Sequence, residues 1–193
     1  MVERIGVYGG TFDPIHVGHV AAASAVRRHL ALDRVLIIPA GDPWQKRGRV
    51  VATPEQRLEM ARLAVEGIDG LEVSDLEVRR TTASVTADTL EDLAAPDRDL
   101  YLILGADAVA NMGTWRRLDD TRELATIVVV ERDGERAVPP GDGWRVEHVP
   151  IPRIDVSSTE IRDRIAAGEP IDGLVPPAAA HHLREHGLYT PQR

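Results

Sequence analysis

Two histidines three residues apart, His16 and His19, stand where a strand signal gives way to a helix signal. They close the string Gly9-Gly10-Thr11-Phe12-Asp13-Pro14-Ile15-His16-Val17-Gly18-His19. Before it, Ile5-Gly6-Val7-Tyr8 is a short apolar run of the buried-strand type; after it, the Ala/Val/Leu pattern of residues 18–32 reads as a helix. Glycines let a ligand approach the backbone closely, and a helix start offers N–H groups and partial positive charge. The chemistry that fits is the binding of anionic oxygen, phosphate above all, with both imidazoles projecting from the first turn. In isolation, H-x-x-H reads as a surface pair or a weak metal site; the strand–glycine–helix setting favours the anion. A second cluster, Ser157-Ser158-Thr159 with Arg162 one turn on, joins hydroxyls, helix-start N–H groups and a guanidinium. Alone, that cluster is an ordinary helix cap with a solvent arginine.

The elements that would position these groups alternate along the chain. Residues 34–39, 71–78, 100–104, 126–130 and 146–149 carry strand signals. Thr53-Pro54-Glu55-Gln56 predicts a capping box opening a helix whose apolar side is Leu58, Met60, Ala61, Leu63, Ala64 and Val65, ended by Gly67. Further helices are expected from Ser84 to about Ala95, from Ser157 to Gly168, and over residues 176–187, with an exposed loop at 133–144. Strands without internal alternation are buried on both faces, and helical crossovers between them imply a parallel sheet. The expectation is an α/β fold, a Rossmann-like doubly wound parallel sheet with helices on both faces, its ligands beyond the carboxyl ends of the strands. Residues 1–193 read as one domain with a C-terminal helical part from about 157.

Composition narrows the function classes. A hydrophobic fraction of 43% and a charged fraction of 28% are those of a soluble globular chain. A net charge of −8 argues against a general nucleic-acid binder but permits a locally positive pocket. No apolar run reaches the ~20 residues of a membrane span, and no signal-peptide core opens the sequence. With no cysteine, disulfides and thiolate metal sites are excluded and cytoplasmic residence is the expectation. His181, His182 and His186 include an i, i+4 pair; without a third ligand or a carboxylate companion it reads as a solvated helix face, and no metal site is expected.

The glycine–histidine string resembles the H-x-G-H signature of the nucleotidylyltransferase superfamily, and Gly9 to His16 in particular resembles the bacterial nicotinate-nucleotide adenylyltransferases. The Ser157 cluster is similar to the superfamily's second signature, I-S-S-T-x-I-R, with Val156 in place of Ile. The resemblance covers residues 6–189 and implies AMP transfer from ATP to nicotinate mononucleotide, giving deamido-NAD and pyrophosphate, with Mg²⁺ accompanying the triphosphate. By the same resemblance His16, His19, Lys46 and Arg162 are catalytic, Lys46 standing in the loop after the second strand. Gly9, Gly10, Thr11, Phe12, Gly18, Gly105, Asp107, Ser157, Ser158 and Thr159 would bind the nucleotide. Asp107 is equally placed to cap the following helix. Asp13, Trp44, Ser84, Thr86, Thr89 and Trp115 would bind the acceptor. Trp115 is a candidate platform for a flat ring, with a core or rim tryptophan on an amphipathic helix as the competing reading.

Two departures, Val85 where the family has Tyr and Gly173 where related sequences have Tyr, fall on the acceptor side. They support an alternative within the superfamily, a cytidylyl- or adenylyltransferase acting on another small phosphate or phosphonate. A non-catalytic nucleotide sensor is disfavoured, because neither signature has lost a charged position. The resemblance leaves room for a homo-oligomer, and expects no nucleic-acid or membrane partner.

Overall fold

A computed structural model of the chain describes residues 1–46, 50–131 and 137–191, without the side chain of Lys46. Six strands form one parallel sheet: β1 (Glu3–Gly10), β2 (Arg34–Pro39), β3 (Leu71–Val73), β4 (Arg98–Gly105), β5 (Ala125–Glu131) and β6 (Val146–Pro150). The spatial order is β3-β2-β1-β4-β5-β6. The chain therefore winds outward from β1 to β3, returns across β1 to β4, and continues the other way. That reversal leaves a crevice beyond the carboxyl ends of β1 and β4, where Gly10 pairs with Pro39 and Gly105 with Val130.

The strand residues alternate between two cores. On one face Val35, Ile37, Ile103 and Val128 pack with α1 (Val17–His29), α2 (Pro54–Val65), α6 (Ser158–Ala167) and α7 (Pro177–Glu185), through Ala22, Ala23, Val26, Met60, Ala61, Ile161 and Ala179. On the other, Ile5, Val7, Leu36, Ile38, Leu102 and Ile127 meet Leu90 of α3 (Thr86–Leu93), Val109 of α4 (Ala106–Ala110) and Met112. Helix α5 (Leu118–Leu124) leads into β5. Both faces are dry, so the strands need no polar alternation. The capping box expected at Thr53 forms: Gln56 N–H donates to the Thr53 hydroxyl oxygen at 3.3 Å, and Thr53 N–H to Gln56 Oε1 at 2.9 Å.

One expectation changes, and two competing readings fall away. The third strand stops at Val73 rather than Val78, because the next residues turn inward to bury Glu77 against α3. Asp107 does not cap a helix: β4 runs straight into α4 with Gly105 as the cap residue, leaving Asp107 exposed in the first turn. Trp115 is on no helix; it ends a short 3-10 turn, Met112–Thr114, that follows α4. Among the described residues no helix is long and apolar enough to cross a membrane.

Candidate active site

The site is built outward from the end of β1. Gly9 and Gly10 point to opposite faces of the sheet. A Cβ on Gly10 would lie 2.8 Å from the Phe12 ring, so this glycine makes room for that side chain. A Cβ on Gly9 would meet nothing within 4 Å; it opens onto the crevice. Phe12 adopts a left-handed backbone (φ 50°) and drops its buried ring edge-on to His19, with ring centres 5.0 Å apart. The extended His16 caps α1, and its ring stacks on that of His19 at 3.6 Å and 23°. His16 N–H donates to His19 Nδ1 at 3.2 Å. That bond makes Nδ1 an acceptor, so the neutral ring carries its proton on Nε2, the nitrogen on the far side from the helix start.

Helix α6 delivers the second cluster to the same place. The Ser158 hydroxyl donates to Pro14 O at 2.9 Å across 144 residues of sequence, and Arg162 Nη1 donates to Asp13 O at 2.7 Å. Ser157 caps α6 by accepting from Glu160 N–H at 3.1 Å, and Thr159 Oγ1 accepts from Arg162 Nη2 at 3.2 Å. The three hydroxyls expected to face phosphate thus hold α6 and its arginine in place. Gly18 is buried, and a Cβ there would crowd Val156 at 3.1 Å and the His16 ring at 3.2 Å; it serves the packing of the two clusters. Asp13, expected to bind the acceptor, is buried too. Its carboxylate accepts from Val51 N–H at 2.9 Å, Ala52 N–H at 3.0 Å and the Tyr189 hydroxyl at 2.6 Å. Phe12, Asp13 and Gly18 therefore support the cleft rather than line it. The side chain of Lys46 lies outside the described residues.

Across Gly9, on the opposite sheet face, lies a cavity of about 200 Å³. Its walls include Gly9, Gly10 and Thr11, Trp44 and Trp115, and Ser84, Val85, Thr86 and Thr89 around the start of α3. Val85 is the cap residue of α3, which begins at Thr86, two positions later than expected. Two clasps join the cavity walls. Arg116 lies over the Trp44 ring at 4.7 Å while Gln45 Nε2 donates to Thr114 Oγ1 at 2.8 Å, and Arg117 ties the Trp115 turn to α3 through Asp88 at 2.6 Å and Glu91.

The Thr89 hydroxyl, predicted to hold an acceptor carboxylate, instead donates to Glu77 Oε1 at 2.7 Å and accepts from Arg80 Nη1 at 2.9 Å. Burial pushes the Glu77 carboxyl above its ordinary range, against the pull of the Ser84 and Thr89 hydroxyls and of Arg80 and Arg57. At the end of β4, Gly105 and Asp107 are exposed, and a Cβ on Gly105 would meet nothing within 4 Å.

Residues 7–164 match the family model described as cytidylyltransferase-like. A protein of Roseiflexus sp. (strain RS-1) named "Probable nicotinate-nucleotide adenylyltransferase" is 46% identical over 96% of this chain and 97% of its own. One of the same name from Bordetella avium is 41% identical over 98% and 100%. The chain belongs to the nicotinate-nucleotide adenylyltransferase family. Its fold is also that of the Plasmodium falciparum nicotinic acid mononucleotide adenylyltransferase solved with NaAD, at a TM-score of 0.80 and 17% identity over 97% of each chain. The P. falciparum protein solved with APC superposes at 0.78.

Four residues outside the sequence motifs also support the site: Arg57, Glu77, Arg116 and Tyr189. Arg57 is buried under the glycine turn, donating to Thr11 O at 2.7 Å, Ala52 O at 3.3 Å and Gly41 O at 3.4 Å; burial lowers its pKa. A signal was present, since helical spacing sets residue 57 on the stripe of Met60, Ala61 and Ala64. Glu77, Arg116 and Tyr189 had none: each depends on contacts between distant segments.

Proposed function

We propose that the protein transfers AMP from ATP to nicotinate mononucleotide, forming deamido-NAD and pyrophosphate. One observation carries the reading. The two-histidine and arginine cluster and the tryptophan-walled cavity lie on opposite sides of the same three residues, Gly9, Gly10 and Thr11, with no side chain on Gly9 between them. A triphosphate over the start of α1 and a flat acid in the cavity would meet at that point. An acceptor phosphate oxygen then attacks the α-phosphorus in line. The new O–P bond forms as the bond to the β-phosphate bridging oxygen breaks, and pyrophosphate leaves with the electron pair.

The residues act through charge and position. His19, with its proton on Nε2, donates to an α-phosphate oxygen as negative charge spreads over it, while His16 stacks behind and fixes the ring plane. Arg162 meets the outer phosphates with planar N–H pairs. Lys46 is assigned to the phosphates by family resemblance. Gly105 and Asp107, open at the end of β4, take the ribose and base. Trp115 and Trp44 enclose the pyridine, and backbone N–H groups at the start of α3 meet its carboxylate, the Thr89 hydroxyl being engaged with Glu77. Mg²⁺ would accompany the nucleotide, held by phosphate oxygens and water and neutralising their charge. The lack of cysteine supports a cytoplasmic setting.

The test is a matrix of ATP, CTP, GTP and UTP against nicotinate mononucleotide, nicotinamide mononucleotide and other small phosphates, scored by pyrophosphate release. Highest turnover with ATP and nicotinate mononucleotide is expected. Preference for another nucleotide or acceptor would replace this assignment.

A further inference from the structure

The C-terminal turn reaches back into the heart of the site. After α7, Gly187 and Tyr189 both take left-handed backbone conformations (φ 58° and 65°), which is unfavourable for the side-chain-bearing Tyr189. The turn brings the Tyr189 hydroxyl to 2.6 Å from Asp13 Oδ1, bridging 176 residues of sequence. That carboxylate also receives Val51 N–H and Ala52 N–H. Arg162 lies on the other side of Asp13, with Nη1 2.7 Å from its carbonyl oxygen and 4.0 Å from Oδ2. Asp13 therefore ties the C-terminal turn and the Val51–Ala52 backbone through its carboxylate, and holds the arginine of α6 through its carbonyl oxygen and a 4.0 Å ion pair. Burial and the adjacent carboxylate push the phenol pKa up, so the hydroxyl remains a donor at any working pH.

We propose that Tyr189 is a positioning residue for nucleotide binding, its hydroxyl holding the carboxylate of Asp13, the residue whose carbonyl oxygen and carboxylate set Arg162 toward the outer phosphates. This rests on the reading of Arg162 as a phosphate contact. Asp13 loses one of the three donors to its carboxylate when the hydroxyl goes, and the residue that anchors the guanidinium is held less firmly. The aromatic ring is not what the proposal needs, so Tyr189→Phe isolates the effect.

The experiment compares wild type, Tyr189→Phe, Arg162→Lys and the double variant. Affinity for ATP alone is measured by titration calorimetry, KM for ATP and for nicotinate mononucleotide by pyrophosphate release, and Tm by thermal unfolding. Tyr189→Phe is expected to weaken ATP binding about tenfold, with the acceptor KM changed less than about twofold. The double variant should bind ATP no more weakly than Arg162→Lys alone, to within about twofold, because Tyr189 acts through the Arg162 guanidinium. Unchanged ATP affinity in Tyr189→Phe, even with a lowered Tm, would overturn the proposal by leaving the hydroxyl a brace for the C-terminus. Losses that multiply in the double variant would overturn it as well. Because ATP is titrated alone, a wild type that binds ATP without using nicotinate mononucleotide refutes the acceptor assignment only. A wild type that does not bind ATP refutes both.

Discussion

The two nitrogens of His19 have separate tasks, and substitution can divide them. Nδ1 accepts the His16 N–H at 3.2 Å and so caps α1; Nε2 carries the proton proposed to meet the α-phosphate. Asparagine places Oδ1 where Nδ1 stands, and has nothing at the position of Nε2. His19→Asn should keep the cap and lose the donor, whereas His19→Ala loses both. Loss of a cap costs about 1 kcal/mol, which for a chain of this size lowers Tm by about 2–4 °C. Loss of one donor to developing charge costs about 2.7–4 kcal/mol, or about 10²–10³ in turnover. The expected pattern is a His19→Asn variant with Tm within about 2 °C of wild type and turnover lowered by about 10²–10³. His19→Ala should be equally slow and less stable. Continuous pyrophosphate release at saturating ATP and nicotinate mononucleotide, with thermal unfolding alongside, reads both quantities. A folded His19→Asn enzyme within about threefold of wild-type turnover would refute the donor role. A Tm as low as that of His19→Ala would refute the capping role.

Other predictions concern the frame of the cleft. Gly10→Ala must displace the Phe12 ring 2.8 Å away and should cost about 1–3 kcal/mol in denaturant unfolding, whereas Gly9→Ala should unfold like wild type and raise KM for a substrate; similar stabilities would contradict the assignment of the two faces. Arg57→Met leaves the Thr11, Ala52 and Gly41 carbonyls without their buried donor and should cost about 3–5 kcal/mol, a change of under 1 kcal/mol refuting its structural role. Glu77 has a raised pKa in the folded state, so its contribution to stability is fully present below its unfolded pKa and lost as pH rises through the folded value. Glu77→Gln should flatten that part of the stability–pH curve, and an unchanged slope would show that Glu77 is not the titrating group.

What the sequence made legible was whatever local physics decides. Continuous apolar runs at 34–39, 100–104 and 126–130 are strands because both faces of a parallel sheet are dry, and the Thr53 and Ser157 caps are encoded within four residues. The pairing of the His16/His19 string with the Ser157 cluster followed from family resemblance, and the Ser158 bond to Pro14 gives it a geometry. Residue roles were less legible. Asp13, Ser158 and Thr89 have the polar side chains of ligand contacts, yet their partners are Tyr189, Pro14 and Glu77, chosen by tertiary packing. The third strand ends before its sequence signal does, because residues 74–78 suit an extended edge until the burial of Glu77 draws them inward.

The AMP transfer proposed here has its acceptor read by an anion-seeking helix start within a tryptophan-walled cavity. Its most direct test is the ratio of kcat/KM for nicotinate mononucleotide to that for nicotinamide mononucleotide, both with ATP. An amide sets an NH₂ against backbone donors, so the acid should be preferred by about tenfold or more. Comparable constants for the two, or no pyrophosphate release with either, would contradict the account.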